Sequence, residues 1–164
     1  MAPTDRGTPD QQPPRQRQYA QWLAFYLGDE ALKGELGRST LSNARLAEVV
    51  EAGLPVAAAD WLRQRSHMSA KQFGKIIPRS TLESRRKSGE QALSVEQSGR
   101  VMRVAEIYAR AAEVFGDHER AERWMKRTNP SMPNGRAPEE MLLTSYGARH
   151  VDDVLTRLEH GIPA

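Results

Sequence analysis

Between Arg63 and Lys87 the chain sets eight bases (Arg63, Arg65, Lys71, Lys75, Arg79, Arg85, Arg86 and Lys87) against one acid, Glu83. The chemistry open to such a set is electrostatic: it attracts polyanions, nucleic acid above all. The densest part, "IPRSTLESRRKSG" from Ile77 to Gly89, holds the side-chain types that read a duplex. Arginine's fork can address guanine bidentately, whereas lysine acts on phosphate as a point charge. The other reading of the same charge is a solvated face on a helical bundle. Residues 1–62 and 88–164 each carry two more acids than bases, so the basic block stands between mildly acidic flanks and more than accounts for the net +3.

Little in the chain points to catalysis. His67, His118, His150 and His160 lack the spacing of metal ligands and are expected at the surface, His160 near a helix C-terminus where its charge is welcome. Glu139-Glu140 and Asp152-Asp153 fall at expected helix starts, where carboxylates suit the dipole without any acid–base role. With no cysteine there is no thiolate nucleophile, disulfide framework or cysteine zinc site. Nothing matches GxGxxG, a Walker loop or GxSxG. Neither an enzyme, a cofactor nor a metal is expected. No window approaches eighteen apolar residues and the N-terminus lacks a secretory apolar core, so no membrane contact is expected and the cytoplasm is the expected compartment.

The elements that must position the basic residues read as helices. No segment alternates with period two over a strand's length, and the expected fold class is all-α. Residues 1–18, rich in proline and glutamine, are expected to form a disordered arm. Residues 19–44 form an N-terminal helical segment in which Tyr19, Trp22, Leu23, Tyr26 and Leu27 recur at helical spacing up to Gly28. These aromatics are too apolar for a solvated helix and are expected to pack on the body or across a dimer.

A helix over Asn43–Ala52 and a stripe of Val56, Ala59 and Leu62 follow. Ser69-Ala-Lys-Gln72 is a capping-box pattern that opens a short helix burying Phe73 and Ile76. After Ile77-Pro78, a second short helix over 79–87 is anchored by Leu82 and closed by Gly89. Two short helices joined by a tight turn are the layout of a helix-turn-helix, here within a domain of residues 45–104. In that motif the second helix enters the major groove with its first turn at base edges. Arg79, Ser80 and Thr81 occupy that turn. Arg85, Arg86 and Lys87 lie where phosphates pass, and Gln72 on the first helix completes the expected DNA-binding set.

Ser94-Val-Glu-Gln97 is a second capping box. It opens a longer helix whose stripe runs Val101, Val104, Ala105, Tyr108, Ala111, Ala112, Phe115 and stops at Gly116. Asp117 caps a helix that turns Ala121, Trp124 and Met125 inward. A turn-rich loop over 130–137, a short helix from Pro138 and a last helix with Val151, Val154, Leu155 and Leu158 complete the chain, with Gly161 as the stop signal.

Glu113–Ala164 resembles the C-terminal toxin-binding domain of Xre/MbcA/ParS-type antitoxins. The likeness rests on Val114-Phe115-Gly116, Ala121 with Trp124-Met125, Asn129-Pro130, Pro138 with Leu142-Leu143, Gly147 with Val151, and Leu155-x-x-Leu158-Glu-x-Gly161. Upstream, "GLPVAAADWL" from Gly53 and "STLESRRKSG…LSVEQSGRVMRVAEIYARA" look like that family's Xre-type helix-turn-helix. The ordered set covers about residues 45–164 and leaves 1–44 outside. Ser131-Met132-Pro133-Asn134 departs from the commoner form, in which a small residue and glycines follow Asn-Pro.

The resemblance implies that residues 105–164 are a toxin-binding domain. It implies an antitoxin for a cognate RES-domain toxin that degrades NAD or uses it for ADP-ribosylation. It further implies a homodimer that represses its own operon by binding operator DNA, and that covers the toxin near its active site with the C-terminal end contributing. On this basis Asn129, Pro130, Arg149, Gly161, Ile162, Pro163 and Ala164 are the toxin-binding candidates. Gly161 is expected to free the chain from the last helix and Pro163 to restrain it. Three rivals stand beside this reading: a free-standing dimeric helix-turn-helix regulator without a toxin, an antitoxin that binds only protein, and neutralisation by residues 129–160 covering the toxin's entrance.

Overall fold

The second capping box forms as the sequence requires. Gln97 N–H donates to Ser94 Oγ at 3.2 Å, and Ser94 N–H donates to Gln97 Oε1 at 3.0 Å. It opens α6 (Val95–Phe115), the longest helix of a computed structural model that describes residues 14–32 and 41–162, with side chains from Gln18 onward. Around it stand α1 (Pro14–Leu27), α2 (Asn43–Ala52), α3 (Val56–Ser66), α4 (Ala70–Ile76), α5 (Arg79–Lys87), α7 (His118–Lys126) and α8 (Ser145–Glu159), with 3-10 turns at Asp29–Leu32, Pro133–Gly135 and Pro138–Met141. The described residues contain no strand, only an isolated bridge between Pro55 and Ala92, so the fold is all-α as expected.

The core is organised on α6. Val101, Val104, Ala105, Tyr108, Ala111 and Ala112 are buried as the stripe predicts, and so are Met102, Ile107 and Ala109 beside it. The buried arc is wider than one stripe because α1, α7 and α8 all pack against this helix. Buried Ser98 is satisfied by accepting the Leu54 N–H at 2.8 Å, which ties α6 to the start of α3.

The aromatic N-terminal helix packs on the body. Leu23, Tyr26 and Leu27 are buried, and the Tyr26 ring lies 5.4 Å from that of Tyr108. One boundary moves: α1 begins at Pro14, so residues 14–18, expected within the disordered arm, are helical. Proline suits a first helical turn because its missing N–H would have no partner there. Residues 1–13 lie outside the described residues, as do 33–40.

The division expected between residues 104 and 105 falls inside α6, which runs through it unbroken. Side chains join the two halves as well. His67 Nδ1 and Glu122 Oε2 are 2.7 Å apart, Lys126 Nζ donates to the His67 carbonyl at 2.7 Å, and Gln72 Nε2 donates to the Glu139 carbonyl at 3.0 Å. The two halves are therefore two ends of one packed body.

Candidate functional site

Ser69 starts α4 by accepting the Gln72 N–H at 3.1 Å. The reciprocal half of the expected capping box does not form, because the Gln72 side chain is buried and donates to Glu139. Of the expected DNA-binding set, Gln72 is the one buried member, and its amide joins α4 to the Pro138–Met141 turn. Ile77 is extended, Pro78 caps the next helix without a side-chain bond, and α5 begins at Arg79. Leu82 is the one buried residue of α5. With one buried side chain, the helix turns most of its surface to solvent, as a groove-reading helix must.

The basic side chains of α5 divide into two groups. The Arg79 side chain is 91% exposed; its Nε–H donates to Glu83 Oε1 at 2.6 Å, leaving the outer guanidinium nitrogens to solvent. Ser80 and Lys87 are exposed, Thr81 is half-buried, and Lys87 has no ion pair among the described residues. Arg85 differs, being only 21% exposed. Its Nη1 donates to the Glu90 carboxylate and, at 2.9 Å, to the Ala92 carbonyl, pinning the connection to α6. Arg86 pairs with Asp60 of α3 and so holds α5 against that helix. Both arginines were expected at phosphates; Arg85 is engaged within the fold, and Arg86 is half-exposed but paired.

Gly89 closes α5. Its φ of +74° permits a Schellman turn in which Glu90 N–H donates to the Arg85 carbonyl at 2.9 Å and Gly89 N–H to the Arg86 carbonyl at 3.3 Å. On the first helix of the pair, Lys71 and Lys75 lie outside the expected set and are also exposed and without an ion pair among the described residues. Their i,i+4 spacing, opposite Phe73 and Ile76, was readable in the sequence.

The toxin-binding candidates are spread over the loop after α7, α8 and the residues that follow α8. Asn129 shapes its loop: Oδ1 accepts the Ser131 N–H at 2.9 Å, and its carbonyl accepts the Met132 N–H at 2.9 Å. Met132 is buried as the loop's plug, while Pro130 faces solvent. His150, expected as a surface residue, is half-buried and donates from Nε2 to the Ser131 carbonyl at 2.8 Å, fixing the loop to α8. Arg149 is exposed beside a groove of about 780 Å³ between α1, α2, α6 and α8. Within that groove burial holds the Glu106 carboxyl above its ordinary range, opposed by a hydrogen bond from Tyr19 (3.5 Å) and by Arg103.

The end of α8 corrects a further expectation. Gly161, at φ +67°, does not free the chain: Gly161 N–H donates to the Leu158 carbonyl at 3.1 Å and Ile162 N–H to the Arg157 carbonyl at 2.9 Å. This is again a Schellman closure, and it fixes Ile162. Arg110 reinforces the same end, contacting Glu159 at 2.5 Å and Glu113 at 2.8 Å. Those bonds, Glu159 first, hold its guanidinium above its ordinary range against the effect of burial. Pro163 and Ala164 lie outside the described residues.

Residues 45–106 match the family model described as the Antitoxin Xre-like helix-turn-helix domain, and residues 110–161 that described as the Antitoxin Xre/MbcA/ParS C-terminal toxin-binding domain. Over 135 residues the chain is 33% identical to Antitoxin Xre of Photorhabdus laumondii, covering 77% of this chain and 86% of that protein. It is 35% identical over 107 residues to Antitoxin Xre of Pseudomonas putida, covering 63% and 66% respectively. Antitoxin Xre of Yersinia enterocolitica is 27% identical over 135 residues, covering 80% and 90%.

The chain belongs to the Xre/MbcA/ParS antitoxin family.

In this antitoxin, α4 and α5 lie within the helix-turn-helix match, and the candidates from Asn129 to Gly161 lie within the toxin-binding match. The latter do not form one cluster. Asn129 and Pro130 adjoin His150, whereas Gly161 and Ile162 stand eleven residues further along the chain, about 16 Å at the helical rise. Toxin contacts that used all of them would have to follow the length of α8.

Proposed function

We propose that this antitoxin neutralises a RES-domain, NAD-consuming toxin encoded beside it by direct binding, and that as a homodimer it represses its own operon through α5. It acts in the cytoplasm, without catalysis, cofactor or metal. The observation that carries the reading is the presence, on one continuous helical body, of an outward-facing second helix of a helix-turn-helix and a toxin-binding domain. Arg79, Ser80 and Thr81 address base edges; Lys87, with Lys71 and Lys75, meets phosphate. A symmetric pair of such helices fits an inverted repeat. Beyond the cap at Gly161 and Ile162, Pro163 and Ala164 are proposed as contacts to the toxin near its active site, excluding NAD.

The test is co-expression with the product of the adjoining reading frame, followed by promoter binding. A stable complex and a shifted promoter fragment containing an inverted repeat are expected. Arg79→Ala should weaken promoter binding by about 1–3 kcal/mol and relax base preference. Absence of a complex would contradict neutralisation by direct binding, and promoter binding insensitive to salt and to Arg79→Ala would remove α5 from the DNA interface.

A further inference from the structure

Five large apolar side chains are exposed among the described residues: Trp61, Val95, Leu143, Tyr146 and Ile162. Trp61 is partly roofed by the Arg65 guanidinium, 4.9 Å above its ring, and Val95 sits singly in the first turn of α6. The other three flank α8 at its two ends. Tyr146 is the most exposed, at 81%.

Its outward position has a structural cause. Thr144 caps α8 by accepting the Gly147 N–H at 3.0 Å, and Gly147 lies so close to the preceding turn that a Cβ there would fall 1.9 Å from the Met141 carbonyl oxygen. With Gly147 and Ala148 facing inward, the helical advance of 100° per residue turns Tyr146 away from the core. Its hydroxyl has no partner among the described residues. Leu143, three residues earlier, is exposed at the same end of the helix. One turn after Tyr146 comes His150, which holds the loop carrying Asn129 and Pro130.

We infer that Leu143 and Tyr146 are the apolar anchor of the toxin-docking surface, with the tyrosine ring filling a pocket on the toxin and Arg149 on the polar rim. This rests on the proposed function and locates the contact. An aromatic anchor ringed by polar residues is the arrangement of an interface hot spot. The toxin is the chosen occupant because the pair lies within the toxin-binding match and is continuous with the Asn129–Pro130 loop. A second copy of the chain fits less well: two apolar side chains on an otherwise polar helix face are too little for the large hydrophobic interface of an obligate dimer.

The experiment measures affinity for the co-expressed product of the adjoining reading frame. Tyr146→Ala and Leu143→Ser should each weaken the complex, Tyr146→Ala by about thirtyfold or more. Tyr146→Phe should lose no more than about tenfold, because the ring and not the hydroxyl supplies the anchor. Val95→Ser, an equally simple surface change elsewhere, should bind as the native chain does. Helical circular dichroism and promoter binding should be unchanged throughout. Native affinity in a Tyr146→Ala, Leu143→Ser double variant would overturn the anchor while leaving the antitoxin reading intact. Retained toxin binding with loss of self-association would assign the surface to a second copy and overturn the inference. Failure of the native chain itself to bind the product would remove both.

Discussion

Arg85→Ala and Lys87→Ala, two residues apart on α5, should have opposite signatures. Arg85 holds the Glu90 carboxylate and the Ala92 carbonyl. Glu90 is 56% exposed, so its ion pair is discounted to about 0.5–1 kcal/mol. The bond to the Ala92 carbonyl adds about 1 kcal/mol. Arg85→Ala should therefore cost about 1.5–2 kcal/mol and, in a chain of this size, lower the melting temperature by about 5 °C. Because its charge is already paired, the slope of log affinity for promoter DNA against log salt should hardly change. Lys87 has no such partner, so Lys87→Ala should leave melting within about 1 °C while reducing that slope by roughly 0.9 per subunit bound. Differential scanning fluorimetry and promoter titrations at several salt concentrations suffice for both. An Arg85→Ala protein that melts like the native chain but shows the flatter slope would refute the division of α5 into internal and outward cations.

Other outcomes follow from the same geometry. A stop codon at Gly161 removes the Schellman closure and should lower stability by about 1 kcal/mol, and an unchanged unfolding midpoint would show that the closure is immaterial; one at Pro163, which keeps the closure, should still reduce protection against the toxin. Gly147→Ala forces a methyl against the Met141 carbonyl and should cost about 1–3 kcal/mol by denaturant midpoint, with a neutral result contradicting the close approach. Glu106 is a half-buried carboxyl whose folded value is raised above the ordinary 4.5, so it binds its proton more tightly folded than unfolded. Its contribution to stability should therefore fall as pH rises from the ordinary carboxylate range through the raised value. The melting curve of Glu106→Gln against pH should be flatter there than the native one, and parallel curves would count against the raised value.

The all-α fold was legible because its signals are local. Helical spacing in α6, the Ser94 and Gln97 pair, the Asp117 cap and Gly116 each act within a few residues. What could not be read were partners distant in the chain. Arg86 is as basic in the sequence as Lys87, yet its partner Asp60 stands 26 residues earlier. Gln72 fits a capping box by spacing, but its buried amide is turned instead toward the Glu139 carbonyl, 67 residues away, to which Nε2 donates. Gly161 is a stop signal in either reading; only the two hydrogen bonds that follow it distinguish a closure from a release. The exposure of Tyr146 depends on how closely Gly147 approaches Met141, a tertiary contact with no periodic trace.

The most direct test of the central claim is NAD consumption by the purified product of the adjoining reading frame, measured while this chain is titrated in. Direct neutralisation predicts that consumption falls to background as the complex forms, that Tyr146→Ala requires a correspondingly higher concentration, and that Arg79→Ala inhibits as the native chain does. NAD consumption that continues unchanged in a saturated complex would contradict it.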